Sequence, residues 1–302
     1  MSHSNNRFAI THRTRYQYSD PVAMCQNQVM MIPRELPRVR CHDTSMNITP
    51  QPTLSHSHTD YYGNLIHTFS IESAHRELSV VVTSDVEVKA TSFPPADQTS
   101  AWEAVRDAIV AGADAHWFHA SEFRFASPMV SLADSFAVYA TQSFFTGRPI
   151  LAAALDLTKR IHRDFKYDTA ATHVDTPADR AFGLRAGVCQ DFAHIQIACL
   201  RSIGLPARYV SGYLRTLPPA GKPRLVGADN SHAWLSLYAG EALGWIDLDP
   251  TNACFVGTDH IPICIGRDYR DVAPMRGVVL GGGHTDLRVS VDVEPIPLAV
   301  LD

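Results

Sequence analysis

The stretch Arg185-Ala-Gly-Val-Cys189-Gln-Asp-Phe-Ala-His-Ile-Gln-Ile-Ala-Cys199-Leu-Arg-Ser-Ile203 constrains this chain more than any other, because it fits a helix with a cysteine in its first turn. Val188, Phe192, Ile195, Cys199 and Ile203 recur at spacings of four, three, four and four, the apolar stripe of a helix packed on a core. Gly204, Leu205 and Pro206 stop it, and Gly187 permits a tight approach to its start. Cys189 therefore falls at the helix N-terminus, where unpaired backbone N–H groups favour an anion. That placement stabilises a thiolate by only about 0.3 to 1 kcal/mol, less than one pKa unit. A buried helix cysteine is ordinarily inert. A nucleophile at this position needs a base from elsewhere in the chain.

The rest of the chain divides by pattern. Residues 7 to about 90 read as strands: Phe8 to Tyr18, broken by Ser19-Asp20-Pro21, then Leu65 to Ile71 after the polar turn Asp60-Tyr-Tyr-Gly63-Asn64, then Leu78 to Val88. This implies a β-sandwich-like N-terminal domain over residues 1–95, in which His12, His67 and His75 are lone, structural histidines. Phe93-Pro-Pro-Ala-Asp97 marks a linker. Helices follow: one capped by Ser100 and running to Gly112, one from Asp134 to about Phe145, and one opened by Pro149 with Ile150, Ala154, Leu157, Ile161 and Phe165 at helical spacing. Trp117, Phe118, Phe123 and Phe125 are expected in the core. The polar loop Asp168 to Asp179, next to the cysteine helix, is placed to line a cleft.

Beyond the helix the period becomes two. Ala207 to Arg215 is a strand, followed by a Pro/Gly loop through Gly221 and Pro223. In Ser231-His232-Ala-Trp234-Leu-Ser-Leu-Tyr238, His232 and Trp234 share the face opposite Ala233, Leu235 and Leu237. In Trp245-Ile-Asp247-Leu-Asp249-Pro250, both acids lie opposite Ile246 and Leu248. If residues 239–242 form the turn, Tyr238 pairs with Leu243 and His232 faces Asp249; a slip of two brings in Asp247 instead. A thiol, a histidine base and a carboxylate holding that histidine in the right tautomer complete a nucleophilic triad. A thiolate–imidazolium pair lowers a cysteine pKa by several units, far more than a helix terminus does. The backbone N–H of Cys189 is one donor for a developing oxyanion, with Tyr167 and Gln190 as second-donor candidates.

Gly187-Val-Cys189-Gln-Asp-Phe-Ala-His194, Gly204-Leu-Pro-Ala-Arg-Tyr-Val-Ser-Gly-Tyr213, Ser231-His232-Ala-Trp234 and Gly244-Trp245 through Asp249-Pro-Thr-Asn252 resemble the transglutaminase-like superfamily. The resemblance is to its bacterial branch of cysteine proteases. The N-terminal stretch is similar to that branch's β-rich accessory domain through Tyr16, Tyr18, Pro21, Ile32-Pro33-Arg34 and the Asp60 to Asn64 turn. It implies an α+β architecture, with a papain-like core over residues 96–302 in which a helix-borne cysteine packs on an antiparallel sheet and which includes the C-terminal strand. It implies Cys189 as nucleophile, His232 as base and Asp249, rather than Asp247, as the orienting acid. Animal transglutaminases have Gln-Cys-Trp where this chain has Val188-Cys189-Gln190, and no calcium signature is present. Amide or peptide hydrolysis through a thioacyl intermediate is the expected reaction, with amine transfer or a catalytically idle binding module as alternatives.

Composition narrows the remaining possibilities. A net charge of −5 and a pI near 6.3 supply no electrostatic footprint for nucleic acid or an anionic membrane. No membrane-spanning run and no signal-peptide core are found, so a cytoplasmic protein acting on a peptide or protein amide is expected. Oligomeric state is left open. The cysteines at 25, 41, 189, 199, 254 and 264 are scattered in a long chain, which favours reduced thiols. Cys254, His260 and Cys264, separated by five residues and then three, do not make paired zinc motifs; no metal or other cofactor is implied. Cys199, Trp234 and Trp245 are expected to pack, and Asp191 and His194 to lie on the helix surface or to support the nucleophile. Arg267, Asp268 and Tyr269 are expected at a surface salt-bridge cluster or the cleft border. Leu287, Val289, Val291 and Val293 alternate in a final strand that finishes a sheet.

Overall fold

A computed structural model describes residues 6–216 and 230–297. The loop expected through Gly221 and Pro223 lies outside the described residues. The N-terminal strands are β1 (Asn6–Val29), β2 (Val39–Thr49), β3 (Leu54–Thr59), β4 (Leu65–Ile71) and β5 (His75–Val88). The helical region contains α1 (Trp102–Val110), α2 (Trp117–Ser121), α3 (Asp134–Thr141) and α4 (Ile150–Asp164). Next come β6 (Lys166–Tyr167), α5 (Ala178–Leu184), β7 (Ala186–Gly187) and α6 (Cys189–Ser202). The chain ends in β8 (Ala207–Leu214), β9 (Asn230–Tyr238), β10 (Trp245–Asp249), β11 (Cys254–Phe255), β12 (His260–Gly266), β13 (Met275–Gly281) and β14 (Thr285–Ile296). No helix among the described residues is long and apolar enough to cross a membrane.

Two antiparallel sheets organise the molecule. The first, ordered β2-β5-β1-β4-β3, also takes β13 and β14 on β1. Ser19-Asp20-Pro21 does not end the first strand. Proline lacks a ladder N–H, so the pairing of β1 with β5 is interrupted between Gln17 and Val22 while the strand runs on. The N-terminal half of β1 pairs with β5 and its C-terminal half with β4, and the curled sheet closes over Val22, Cys25, Val29, Phe69, Leu78 and Val80. The sandwich-like layering therefore comes from one curled sheet. The strand alternating at Leu287, Val289, Val291 and Val293 joins this N-terminal sheet, pairing with β1 from Arg7 to Tyr18, and not the C-terminal region to which its place in the chain assigns it. Sequence distance says nothing about which edge a late strand completes.

The second sheet, ordered β11-β10-β9-β8-β12, carries α6 against it. Ala233, Leu235, Leu237, Ile246 and Leu248 face this helix side in the main core, as the period-two pattern requires. Ala101, not Ser100, precedes α1, and Pro149 caps α4 from the position before its first residue rather than from the first residue itself. Of the four aromatics expected inside, only Phe123 is buried; Trp117, Phe118 and Phe125 are 43%, 64% and 62% exposed, because the short α2 segment lies at the surface.

The sheets are joined by polar latches. Asn64 donates from Nδ2 to the Ile265 carbonyl at 2.8 Å and accepts the Ile265 N–H at 2.8 Å, completing the edge of β12. Asp60 holds Asn64 from behind, and Arg34 donates to Asn64 Oδ1 at 2.8 Å. Asp247, the competing acid, accepts from Arg38 at 2.9 Å and so serves the interdomain contact. His12 Nδ1 lies 2.7 Å from the Tyr213 hydroxyl.

Asn64→Ala leaves both Ile265 backbone groups unpaired in a buried site, and is expected to cost about 2–4 kcal/mol in urea unfolding at neutral pH. Burial lowers the His12 pKa from 6.5 to about 4. Above pH 6.5 both folded and unfolded chains hold it neutral; as pH falls from 6.5 through about 4, the unfolded chain gains a proton the folded chain cannot take up, and stability is lost. Unfolding curves across this window should show His12→Gln losing less stability on acidification than the unsubstituted chain.

Candidate active site

The start of α6 is built by close packing. Arg185, at φ 53°, turns the chain out of α5, and β6 and β7 pair Tyr167 with Gly187 just before the cysteine. Asp191 Oδ2 accepts the Val188 N–H at 2.8 Å and the Thr172 hydroxyl at 2.6 Å, capping the helix from its third residue. A Cβ on Gly187 would stand 2.5 Å from that same oxygen, so only glycine fits. Cys189 is the first helical residue and is half-buried.

The helix is not a one-sided stripe. Every residue from Gln190 to Arg201 is buried, so of the two places expected for Asp191 and His194 the helix surface is ruled out. The loop from 168 to 177 covers one side: Thr172 binds Asp191, and the Val174 carbonyl accepts from Gln190 Nε2 at 2.8 Å. His194 accepts the Tyr269 N–H at Nε2, and burial holds its pKa down at about 4, so it supports the fold as a neutral ring. Asp268 accepts the Met129 N–H at 2.9 Å, and Arg267 pairs with Asp271.

His232 and Asp249 meet by a different register from the one the turn count favoured. Tyr238 pairs with Trp245 and Leu235 with Leu248, so Asp249 lies level with Trp234 rather than His232. The turn spans residues 239–244, closed by the Ala239 N–H to the Gly244 carbonyl at 2.8 Å, because Gly240 and Gly244 both adopt positive φ and lengthen it. The two side chains remain diagonal neighbours on one face. His232 Nε2 donates to Asp249 Oδ2 at 2.8 Å. The Cys189 sulfur acts electrostatically on the same ring, and Cys189 and His232 line one cleft. Cys189, His232 and Asp249 thus lie in one row.

The electrostatics follow from this row. Burial pushes the His232 pKa down, but the hydrogen bonds and charges of Asp249 and Cys189 outweigh it and raise the imidazolium to about 10. Asp249 is fully buried; burial alone would raise its carboxyl pKa, yet hydrogen bonds from His232, His260 and Asn252 hold it far below the usual range. Its Oδ1 also accepts the N–H groups of Thr251 and Asn252, at 2.9 and 3.1 Å.

His260 is the residue that sequence reasoning missed. It does not join Cys254 and Cys264: Cys264 is buried with its sulfur 3.7 Å from the Met30 carbonyl, while His260 Nε2 lies 2.9 Å from Asp249 Oδ2. No spacing in the chain signals this, since the approach depends on β12 pairing with β8. His232, Asp249 and His260 are the described residues whose ligand atoms converge as metal donors could, within 4.8 Å. Their N···O separations of 2.8 and 2.9 Å are those of hydrogen bonds. A tetrahedral zinc with bonds of about 2.0–2.1 Å holds its ligand atoms about 3.3 Å apart, so this cluster as built closes around protons.

The row opens on a cleft of about 520 Å³ between the two sheets. His12, Thr14 and Tyr16 of β1 and Leu287, Val289 and Val291 of β14 line one wall; Tyr167, Gln190, Tyr209 and Tyr269 line the other parts. The N-terminal sheet is therefore part of the site. Tyr167 is half exposed at this cleft, with its ring against Phe192, and burial raises its hydroxyl pKa. Gln190 has committed one amide hydrogen to Val174.

Comparison with known proteins matches residues 140–250 to the transglutaminase-like superfamily and residues 8–87 to the bacterial transglutaminase-like N-terminal region. An uncharacterised protein of Mycobacterium tuberculosis is 39% identical over 96% of this chain and 93% of its own. The chain belongs to the transglutaminase-like superfamily. One of Mycobacterium leprae is 30% identical over 95% of this chain and 98% of its own. A crystal structure from Cytophaga hutchinsonii described as a "putative cysteine protease" superposes with a TM-score of 0.76 at 22% identity, covering 98% of this chain and 92% of that one, and shows the same fold. A protein-glutamine gamma-glutamyltransferase of Pseudomonas aeruginosa is 39% identical over 104 residues, 33% of this chain and 15% of its own.

Gly187→Ala is expected to displace Asp191 from its cap and to destabilise the fold by about 1–3 kcal/mol. An unchanged urea midpoint would show that the approach to α6 has room to spare.

Proposed function

We propose that this protein hydrolyses an amide or peptide bond through a thioacyl-enzyme intermediate, with Cys189 as nucleophile, His232 as general base and acid, and Asp249 as the orienting acid. One observation supports this above the others: Cys189 and His232 line one cleft, and the imidazole is hydrogen-bonded behind it to the buried Asp249 carboxylate. The thiol proton passes to His232. The thiolate attacks the carbonyl carbon, forming the C–S bond while the C=O π pair moves onto oxygen. The backbone N–H of Cys189 meets that oxyanion, with Tyr167 and Gln190 as candidates for a second donor. Collapse restores the carbonyl and breaks the C–N bond, and the imidazolium gives its proton to the departing amine. Water then attacks the thioester as His232 takes its proton; the C–S bond breaks, and the thiolate pairs again with the imidazolium.

A second reading has a specific support in the gamma-glutamyltransferase relative: the same acyl-enzyme passes its acyl group to a primary amine in place of water. The chemistry of the first half is shared. We place the protein in the cytoplasm, where its six free cysteines stay reduced, and take its partner to be a peptide or protein amide rather than nucleic acid or membrane.

Iodoacetamide alkylation of Cys189 tests the nucleophile without a known substrate. The rate at pH 7 should exceed that of free cysteine and fall by at least about tenfold in His232→Ala. A rate equal to free cysteine and indifferent to His232 would leave a binding module as the reading. A screen of peptides and amides, with Cys189→Ala as the inactive control, should yield free acid; incorporation of a labelled primary amine at the expense of acid would favour transfer.

A further inference from the structure

Asp249 carries more than a triad acid needs. Its Oδ2 accepts from His232 Nε2 at 2.8 Å, from Asn252 Nδ2 at 2.7 Å and from His260 Nε2 at 2.9 Å. Two imidazoles therefore converge on one oxygen of a carboxylate that has no exposure to water. His260 is 6% exposed, its Nδ1 accepts the Gly257 N–H at 3.4 Å, and its ring stands edge-on to Trp234 at 5.4 Å. The Gly257 donor fixes the tautomer: the free proton of His260 is on Nε2 and points at Asp249. Trp234 also lies against His232, so the same indole packs against both rings.

We propose that His260 is a positioning residue for the reaction, acting through Asp249: it pins the carboxylate so that Oδ2 stays in line with the base His232. The inference rests on the reading of Cys189, His232 and Asp249 as a triad. Asp249 is the last residue of β10, where the chain turns away at Pro250, so its carboxylate is not held by a strand continuing past it. Thr251 and Asn252, on that turn, hold it from its own segment. His260 holds it from β12, the strand on the far side of β8 and β9, and so ties the acid to the sheet that carries the base. The ionisable groups facing the acid are His232 on β9, His260 on β12 and Cys254, which pairs with Asp249 across β11; Cys189 on α6 faces the base. Burial and the nearby Asp249 charge raise the Cys254 thiol to about 11, so it is uncharged through the neutral range.

The test is the pH dependence of iodoacetamide alkylation of Cys189 in the full chain, followed with the urea midpoint. His260→Asn can still accept the Gly257 N–H but is too short to reach Asp249, whereas His260→Gln places an amide donor about where Nε2 stands. In His260→Asn the alkylation rate at pH 6–7 should fall by about tenfold relative to its value at pH 9, the loss expected for one hydrogen bond to a charged group, and His260→Gln should restore most of it. A residue that merely packs would move the urea midpoint and leave the pH profile alone. A folded His260→Asn or His260→Ala with the unsubstituted profile overturns the proposal. Should neither variant fold, ring 15N spectra of the unsubstituted chain decide: His260 protonated at Nε2 supports it, and at Nδ1 refutes it. If the unsubstituted chain itself shows no low-pH reactivity that His232→Ala removes, the triad reading fails first, so the two failures are separable.

Discussion

Burial of α6 on every side is the constraint from which the site follows. A helix enclosed from Gln190 to Arg201 cannot leave polar side chains to water, so each surrounding element must answer one of them. The loop after β6 answers Asp191 and Gln190, the segment at Tyr269 answers His194, and the carbonyls of Phe125, Ala207 and Arg267 answer Arg201. These bonds fix the helix along its length. Only its first two residues, Cys189 and Gln190, reach the cleft.

The second sheet brings His232 and Asp249 to that point by strand geometry rather than by a tight turn. Because His232 and Asp249 share a face, either of two registers leaves them within reach, and the lengthened turn at 239–244 selected the diagonal one. Gly212 pairs with His232 across β8, and a side chain there would collide with the Trp234 ring and the Ile261 carbonyl. The small residue leaves room for the indole, which meets His260 edge-on and His232 at a tilt. The curled N-terminal sheet then supplies a wall of the cleft, held by Asn64 on β12, Arg38 on Asp247 and His12 on Tyr213. The motifs Ile32-Pro33-Arg34 and Asp60 to Asn64 are thus latch residues, and the acid that competed with Asp249 is one as well.

Much of this was legible in the chain. The helix following Gly187, the alternation from His232 to Tyr238 and the pair of acids on one face are local patterns, set by the 3.6- and 2-residue repeats of backbone geometry, and they survive folding intact. The resemblance to the transglutaminase-like superfamily pointed to Asp249, the carboxylate that bonds to His232, where turn counting rested on the wrong register. Local pattern failed where burial was two-sided: the stripe on α6 described one face of a helix that has no solvent face, and the aromatics from Trp117 to Phe125 were read as core although three of them lie outside. Composition cannot say how many sides an element presents to its neighbours.

The sequence by itself determined the elements and the three residues of the row, because each depends on bonds and repeats within a few residues. Only the tertiary structure decided which strands meet across long separations. It carried β14 to β1, made the N-terminal sheet a wall of the cleft, and brought His260 to Asp249 instead of to Cys254 and Cys264. The physical reason is that strand pairing and side-chain convergence are set by the packing of whole faces, a property no stretch of chain carries alone.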